Sequence, residues 1–483
     1  MKNMNSQTIV NLQSGQACGQ LHDGVLRFLG LPYGERENAQ SRLANVKPPA
    51  AWSGIRDATT PGPVFPQLRS RLALVMGDAI DANAQSEDAF IVNVWAPENA
   101  QNLPVFFFIH GGGFLSGGGS AAWYDGERIA REEKIVVVTV NYRLGALGHY
   151  TPDGLPANAN RATRDLIQAL HWVRDNITEF GGDPSQVTVG GQSAGAWYAW
   201  LLGLSPASRG LLQRNILLSL PHMPPMSDEL TRSHCQLFKE QCAGKSLDEL
   251  SIQELLEAQL KMLRALAAFG EVSVGFRPAV EEGLVPEYFL DFAQAAQHAH
   301  VTQTLLGATA EENAAFMFQA PDALAASEQN VHEWYARQFG AQAQEQYAQH
   351  AARRPQHTPY TQLVDASSDQ LFANAVSQIA EACTAQKHKA IAYRFNVQTQ
   401  VPHLMSPHCM ELPFLFGNRA DWADAPMLAN ISDEVFERAG TDLRQAVGNF
   451  VRHGAARSSG TDWPVYSQGQ PKITEITESG AIA

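Results

Sequence analysis

The chain has 483 residues, which is length for about three domains at roughly 150 residues each, although large α/β folds run this long as one unit. Hydrophobic residues make up 45% and charged residues 17%, the balance of a chain that can bury a large core without staples. A formal charge of −14 with no basic stripe argues against nucleic acid, and no apolar run is long enough to span a membrane.

The opening residues, MKNMNSQTIV, show no apolar core or small-residue cleavage site, so no secretion signal is expected. The next stretch, TIVNLQSGQACGQLHDGVLRFLGLPYG, alternates β-branched residues with turn residues and predicts a small antiparallel start. AFIVNVWAP (89–97), LPVFFFIHGGG (103–113) and KIVVVTVNYR (134–143) are apolar runs of the kind that form central strands covered on both faces. Leu166, Leu170, Val173, Ile177 and Phe180 recur at helical spacing, and Gly181-Gly182 ends that helix. A strand at 186–190, a turn at Ser193, a helix and the strand RNILLSL (214–220) follow. The alternation predicts the α/β class: a mostly parallel or mixed sheet with helices on both faces.

From about 228 to 270 the chain reads as a helical insertion, and helices dominate again at 329–350 and 366–386. QTLLGA (303–308) and KAIAYRFNV (389–397) would complete the sheet, and a last helix, about 432–454, precedes DWPVY. With no repeat and no long flexible linker, residues 1–483 are expected to form one domain. The five cysteines, Cys18, Cys235, Cys242, Cys383 and Cys409, are scattered and lack CxxC spacing, which points away from a disulfide framework or zinc site and toward a reducing, cytoplasmic setting.

The chemistry concentrates in two glycine-rich turns. VTVGGQSAGAW (187–197) places Ser193 between Gly191 and Gly195, where a strand stops and a helix starts. A sharp strand–turn–helix exposes a serine oxygen, and the helix N-terminus faces developing negative charge. The alternative is a tight turn whose serine merely caps the helix. HGGGF (110–114) follows an apolar strand, and its glycines leave backbone N–H groups open to an oxyanion. A flexible loop or a phosphate cradle is the competing reading, but no GK[ST] follows.

These segments, with SEDAFIVNVWAP, VNYRLGALG, HWVRDNITEFGGDPSQVTVGGQSAGA, GATAEENAAF and PHCMELPFLFGN, resemble the type-B carboxylesterases, the cholinesterase-like branch of the α/β hydrolases. VLRFLGLPYG near the start, and FVRHG followed by DWPVY near the end, extend the resemblance over almost the whole chain. It implies a serine carboxylesterase for uncharged short-to-medium-chain esters, with water as co-substrate and no metal or cofactor. The triad implied is Ser193, Glu312 and His408, in the chain order of that fold. Glu311 and His403 are the near competitors, read as a surface charge and a loop histidine. Gly112, Gly113 and Ala194 would form the oxyanion hole, with His110 structural.

Departures from the family pattern bear on specificity. Phe65 and Ala89 stand where many relatives pair two cysteines, and the loop between them lacks the tryptophan that binds choline in cholinesterases. Gln192 replaces a frequent Glu, the "SG" after the strand reads Ser219-Leu220, and Asn313 stands where a glycine follows the acid. Trp197, Tyr198 and Trp200 follow the nucleophile where small residues are usual; the rings either pack the helix on the sheet or, through Trp197, narrow the pocket floor. Phe114, Met226, Val272, Val274 and Phe316 complete the expected substrate pocket. Two other readings stay open: a non-catalytic adhesion homologue, and the same machinery acting on carbamates or activated amides.

Overall fold

In the computed structural model, residues 7–152, 160–267, 274–354, 356–469 and 471–482 are described. Twelve strands form one continuous path: β1 (Gln7–Leu12), β2 (Gly15–His22), β3 (Val25–Pro32), β4 (Ile91–Pro97), β5 (Leu103–Ile109), β6 (Val136–Val140), β7 (Gly182–Gln192), β8 (Arg214–Leu218), β9 (Gln303–Thr309), β10 (Lys389–Phe395), β11 (Ile473–Thr477) and β12 (Gly480–Ile482). Their spatial order is β1-β2-β3-β4-β6-β5-β7-β8-β9-β10-β11-β12, with Ile55–Asp57 added alongside β2. From β6 to β11 every pairing is parallel; the other pairings along the path are antiparallel, and Ile55–Asp57 runs parallel to β2. The sheet is therefore mixed, with a parallel centre.

The central strands are apolar along their length because both faces are covered. Val105, Phe107 and Ile109 point into one core, with Leu166 and Val173 of α1 (Arg161–Asn176), Trp200 of α2 (Ala194–Leu204) and Ile379. Phe106 and Phe108 point the other way, against Phe414, Val447 and Phe450. All eleven residues of α2 are buried, which suits its apolar composition on every side. The stretch read as helical from about 228 folds as α3 (Asp228–Gln241) and α4 (Ile252–Ala265), each opened by a serine that caps a backbone N–H. Beyond β9 come α5 (Glu328–Phe339), α6 (Ala343–Ala352), α7 (Pro359–Ser368) and α8 (Asn374–Ala385). A single π turn, Asp369–Ala373, joins α7 to α8. The helix α9 (Asp433–His453) lies on the Phe106 face.

A buried ion pair ties α1 to the turn after β6. Arg143 donates to both carboxylate oxygens of Asp165, at 2.8 and 2.6 Å, and also to the Ala44 carbonyl. Neither side chain is more than 3% exposed, so each charge depends on the other.

Candidate active site

The strand β7 pairs Gln192 with Leu218 of β8 and then ends. The next residue, Ser193, takes φ 58° and ψ −122°, a conformation L residues avoid, and its N–H donates to the Leu218 carbonyl at 2.9 Å. Such strain costs on the order of 1–3 kcal/mol and persists where the surroundings over-determine it. The surroundings here are backbone. A Cβ on Gly195 would stand 2.0 Å from the Ile109 carbonyl oxygen, and one on Gly191 would stand 2.4 Å from the Gly195 carbonyl carbon. The glycines let β5, β7 and α2 touch main chain to main chain, which forces the serine outward.

Glu312 and His408 form a buried pair. The carboxylate accepts the His408 Nδ1–H through Oε2, and the Thr309 N–H, at 2.7 Å, through Oε1. The backbone N–H of His408 donates to the Glu312 carbonyl at 3.1 Å. Phe316 and Phe372 flank the imidazole, with ring centroids 5.6 and 4.8 Å away. With Nδ1 bonded to the carboxylate, Nε2 carries the lone pair. Gln192 Nε2 lies 3.2 Å from that atom, and among the described residues the Ser193 hydroxyl makes no hydrogen bond to it. Serine and imidazole share a pocket without being joined.

The glycine loop 110–114 follows β5. Gly112, Gly113 and Phe114 have φ of 115°, 61° and 63°, and a Cβ on Gly112 would stand 2.0 Å from the Ser116 carbonyl oxygen. His110 does not enter the chemistry. It stacks on Tyr142 at 4.4 Å, contacts the Gly111 carbonyl through Nδ1 at 2.7 Å, and is pushed down to about 4 by burial, so it is neutral near pH 7.

Gly112, Gly113, Ser193, Ala194 and His408 line one cavity, and Phe114, Val274 and Phe316 line it with them. The sequence model of the Carboxylesterase family matches residues 6–482. The chain belongs to the carboxylesterase family. It is 32% identical to the para-nitrobenzyl esterase of Bacillus subtilis over 98% of this chain and 95% of that protein. It is 35% identical to a probable N-octanoylanthranilate hydrolase of Rhodococcus erythropolis over 95% of each. Among solved structures, a thermophilic PNB esterase superposes with a TM-score of 0.83 at 29% identity, over 98% of this chain and 96% of that one. The fold is accordingly that of the α/β-hydrolase carboxylesterases.

In this carboxylesterase Met226 and Glu311 sit elsewhere than the sequence predicts, and Trp197 takes one of its two expected places. Trp197 is fully buried behind the cavity: its ring stacks on Phe289 at 4.1 Å and its Nε1–H donates to the Met223 carbonyl at 2.9 Å. It supports the wall instead of forming the floor. Met226 is also buried away from the cavity, packed with Ala279 and Leu230, and Met223 of the same loop lines the cavity in its place. Val272 lies outside the described residues. Glu311 is no surface charge: it is 4% exposed and accepts from Arg354, Gln398 and the Ser406 backbone. His403 is an exposed loop residue whose carbonyl accepts from Tyr360.

Other cavity residues carry no signal in the sequence. Arg71 comes from the loop between Phe65 and Ala89, and Leu371 and Phe372 come from the π turn. Glu411 was visible inside HCMEL but had no role assigned. It is fully buried, accepts from the Ser219 hydroxyl at 3.0 Å, and is pushed up to about 7 by burial and by the neighbouring Glu312 charge. Among the described residues no His/Cys/Asp/Glu cluster could hold a metal ion, and no helix is long and apolar enough to cross a membrane.

Proposed function

We propose that this carboxylesterase cleaves esters of short-to-medium acyl chain, with no cationic group, through an acyl-enzyme on Ser193. The observation that carries the reading is the buried Glu312–His408 pair set behind a serine held in a strained turn. Ser193 Oγ attacks the carbonyl carbon while His408 Nε2 takes its proton. Glu312 orients the ring and stabilises the imidazolium. The carbonyl oxygen, now anionic, meets the N–H groups of Gly112, Gly113 and Ala194. Collapse expels the alcohol, which takes the proton from Nε2, and water then repeats the sequence on the acyl-enzyme.

The absence of tryptophan between Phe65 and Ala89 removes the aromatic face a choline group needs, and the Arg71 guanidinium in that loop repels it. Met223, Val274 and Leu371 form a wall that an acyl chain can lie along. Each methylene buried there contributes up to about 0.8 kcal/mol, so butyrate should exceed acetate until the space is filled. The relative named as a probable N-octanoylanthranilate hydrolase favours a second reading, in which the same machinery opens an N-acyl bond.

Replacing Ser193 with Ala tests the mechanism. Turnover of p-nitrophenyl butyrate should fall by about four to six orders of magnitude while the far-ultraviolet circular dichroism stays unchanged. A folded variant with a tenth of the wild-type rate would remove Ser193 from the reaction.

A further inference from the structure

A second cavity lies against the first. Met223, Val274 and Leu371 line both, so the acyl wall of the Ser193 pocket is also the near wall of this chamber. Its lining also includes Arg277, His222 and His234, with Asn313 and Trp334. Among the described residues that line either cavity there is no Asp or Glu, in a chain whose formal charge is −14. Both cavities instead present a guanidinium: Arg71 near Gly113, and Arg277 across Val274.

Arg277 is set to receive an anion. Its Nε–H donates to the Pro224 carbonyl at 2.8 Å, which fixes the plane of the guanidinium, and among the described residues the terminal nitrogens make no hydrogen bond. No carboxylate lies within ion-pair distance of it among the described residues. The donors do not stop there. Trp334 is 1% exposed, and its Nε1–H has no hydrogen-bond partner among the described residues. Burial lowers the affinity of His222 and His234 for protons, so near neutral pH the fixed charge of the chamber is that of Arg277.

The direction of approach follows from the reaction. The leaving alcohol must lie on the His408 side, because that imidazole returns its proton. Val274 stands at the oxyanion loop: its Cγ1 would be 3.7 Å from a Cβ on Gly113. An acyl chain that leaves the oxyanion hole past Val274 and Met223 enters the chamber end-on. We propose that the chamber is a binding site for a carboxylate at the far end of the acyl chain, so that the preferred substrates are monoesters of medium-length dicarboxylic acids. This rests on the esterase reading above and adds its substrate class. A guanidinium receives a carboxylate in a bidentate fork, and low-dielectric walls of one charge sign concentrate anionic substrate.

The test compares p-nitrophenyl monoesters of adipic, suberic and sebacic acids with p-nitrophenyl esters of the monocarboxylic acids of equal chain length, at low salt. In the wild-type enzyme the ratio of kcat/KM, acidic to neutral, should exceed one for at least one length and should fall as salt is added. In Arg277→Met that ratio should drop about tenfold or more through KM of the acidic ester, and Arg277→Lys should retain part of it. The neutral esters report whether each variant is folded and active. A ratio below one at every length in the wild type, or a ratio indifferent to Arg277→Met, overturns the proposal. A wild type inert on the neutral esters as well would instead overturn the esterase reading.

Discussion

Gln192 and Glu411 set the charge around the His408 imidazole. A glutamate at 192 would put a second carboxylate against Nε2; the amide found there keeps Glu312 as the ion that His408 touches. Glu411 accepts from the Ser219 hydroxyl and sits close enough to Glu312 for their charges to repel. With its affinity for protons pushed up to about 7, it stays largely neutral at mildly acidic pH and leaves one negative charge in the buried cluster. The consequence for stability has a definite sign. Below its ordinary value of 4.5 the group is protonated in folded and unfolded chains alike. Between there and about 7 the unfolded chain releases the proton first, so the stability this group confers is lost as pH rises through that window. Glutamine keeps the acceptor for the Ser219 hydroxyl and cannot ionise. Melting curves at about pH 5 and about pH 8 should therefore show Glu411→Gln gaining on the wild type with rising pH, by up to on the order of 3 kcal/mol. A difference that stays constant across that range would show that Glu411 is ionised throughout.

The joint between β5, β7 and α2 is where element geometry becomes catalytic geometry. A methyl group on Gly195 meets the Ile109 main chain, which no side-chain rotation can clear. Gly195→Ala should lower stability by about 1–3 kcal/mol and, by shifting Ala194, cut kcat about tenfold or more; thermal unfolding and p-nitrophenyl butyrate kinetics read both. Unchanged values would mean that α2 is free to slide. This joint was legible in the sequence because glycines there have a steric reason, and β4, β5 and β6 were legible because strands covered on both faces must be apolar. β11 was not. Its sequence, ITEIT, buries Thr474 and Ile476 while its other residues stay exposed or half-buried, and its place beside β10 is settled by chain contacts far away in sequence. The π turn was equally silent. Helical structure is expected over 366–386, and the turn differs from an α-helix in hydrogen bonding but not in composition. That turn carries Phe372 to His408, so the part of the pocket it builds could not be read. The sequence leaves Trp197 with two readings for a related reason: an aromatic ring one turn into a buried helix can face the cavity or the core, and periodicity does not choose.

At the scale of the whole molecule, apolar packing does what a crosslink does in many relatives. Phe65 and Ala89 are buried, and Phe65 meets Phe90 edge-on at 5.0 Å. All five cysteines are free and buried. The unfolding temperature should be the same with and without a thiol reductant; a fall on adding reductant would reveal a disulfide. The order of the chain through the sheet has a further effect. Ser193 and the glycines of the 110–114 loop come from the first half of the chain, whereas Glu312 and His408 follow β9 and β10, and the parallel block is complete once β11 pairs with β10 from beyond α9. Parallel pairings between such distant segments form late, since loop closure precedes the contacts that reward it. A partly folded chain can thus hold a well-shaped nucleophile with no base to activate it. During refolding, ester turnover should appear after the bulk of the tryptophan signal has settled, which makes catalysis a timer for the closing of the last strands.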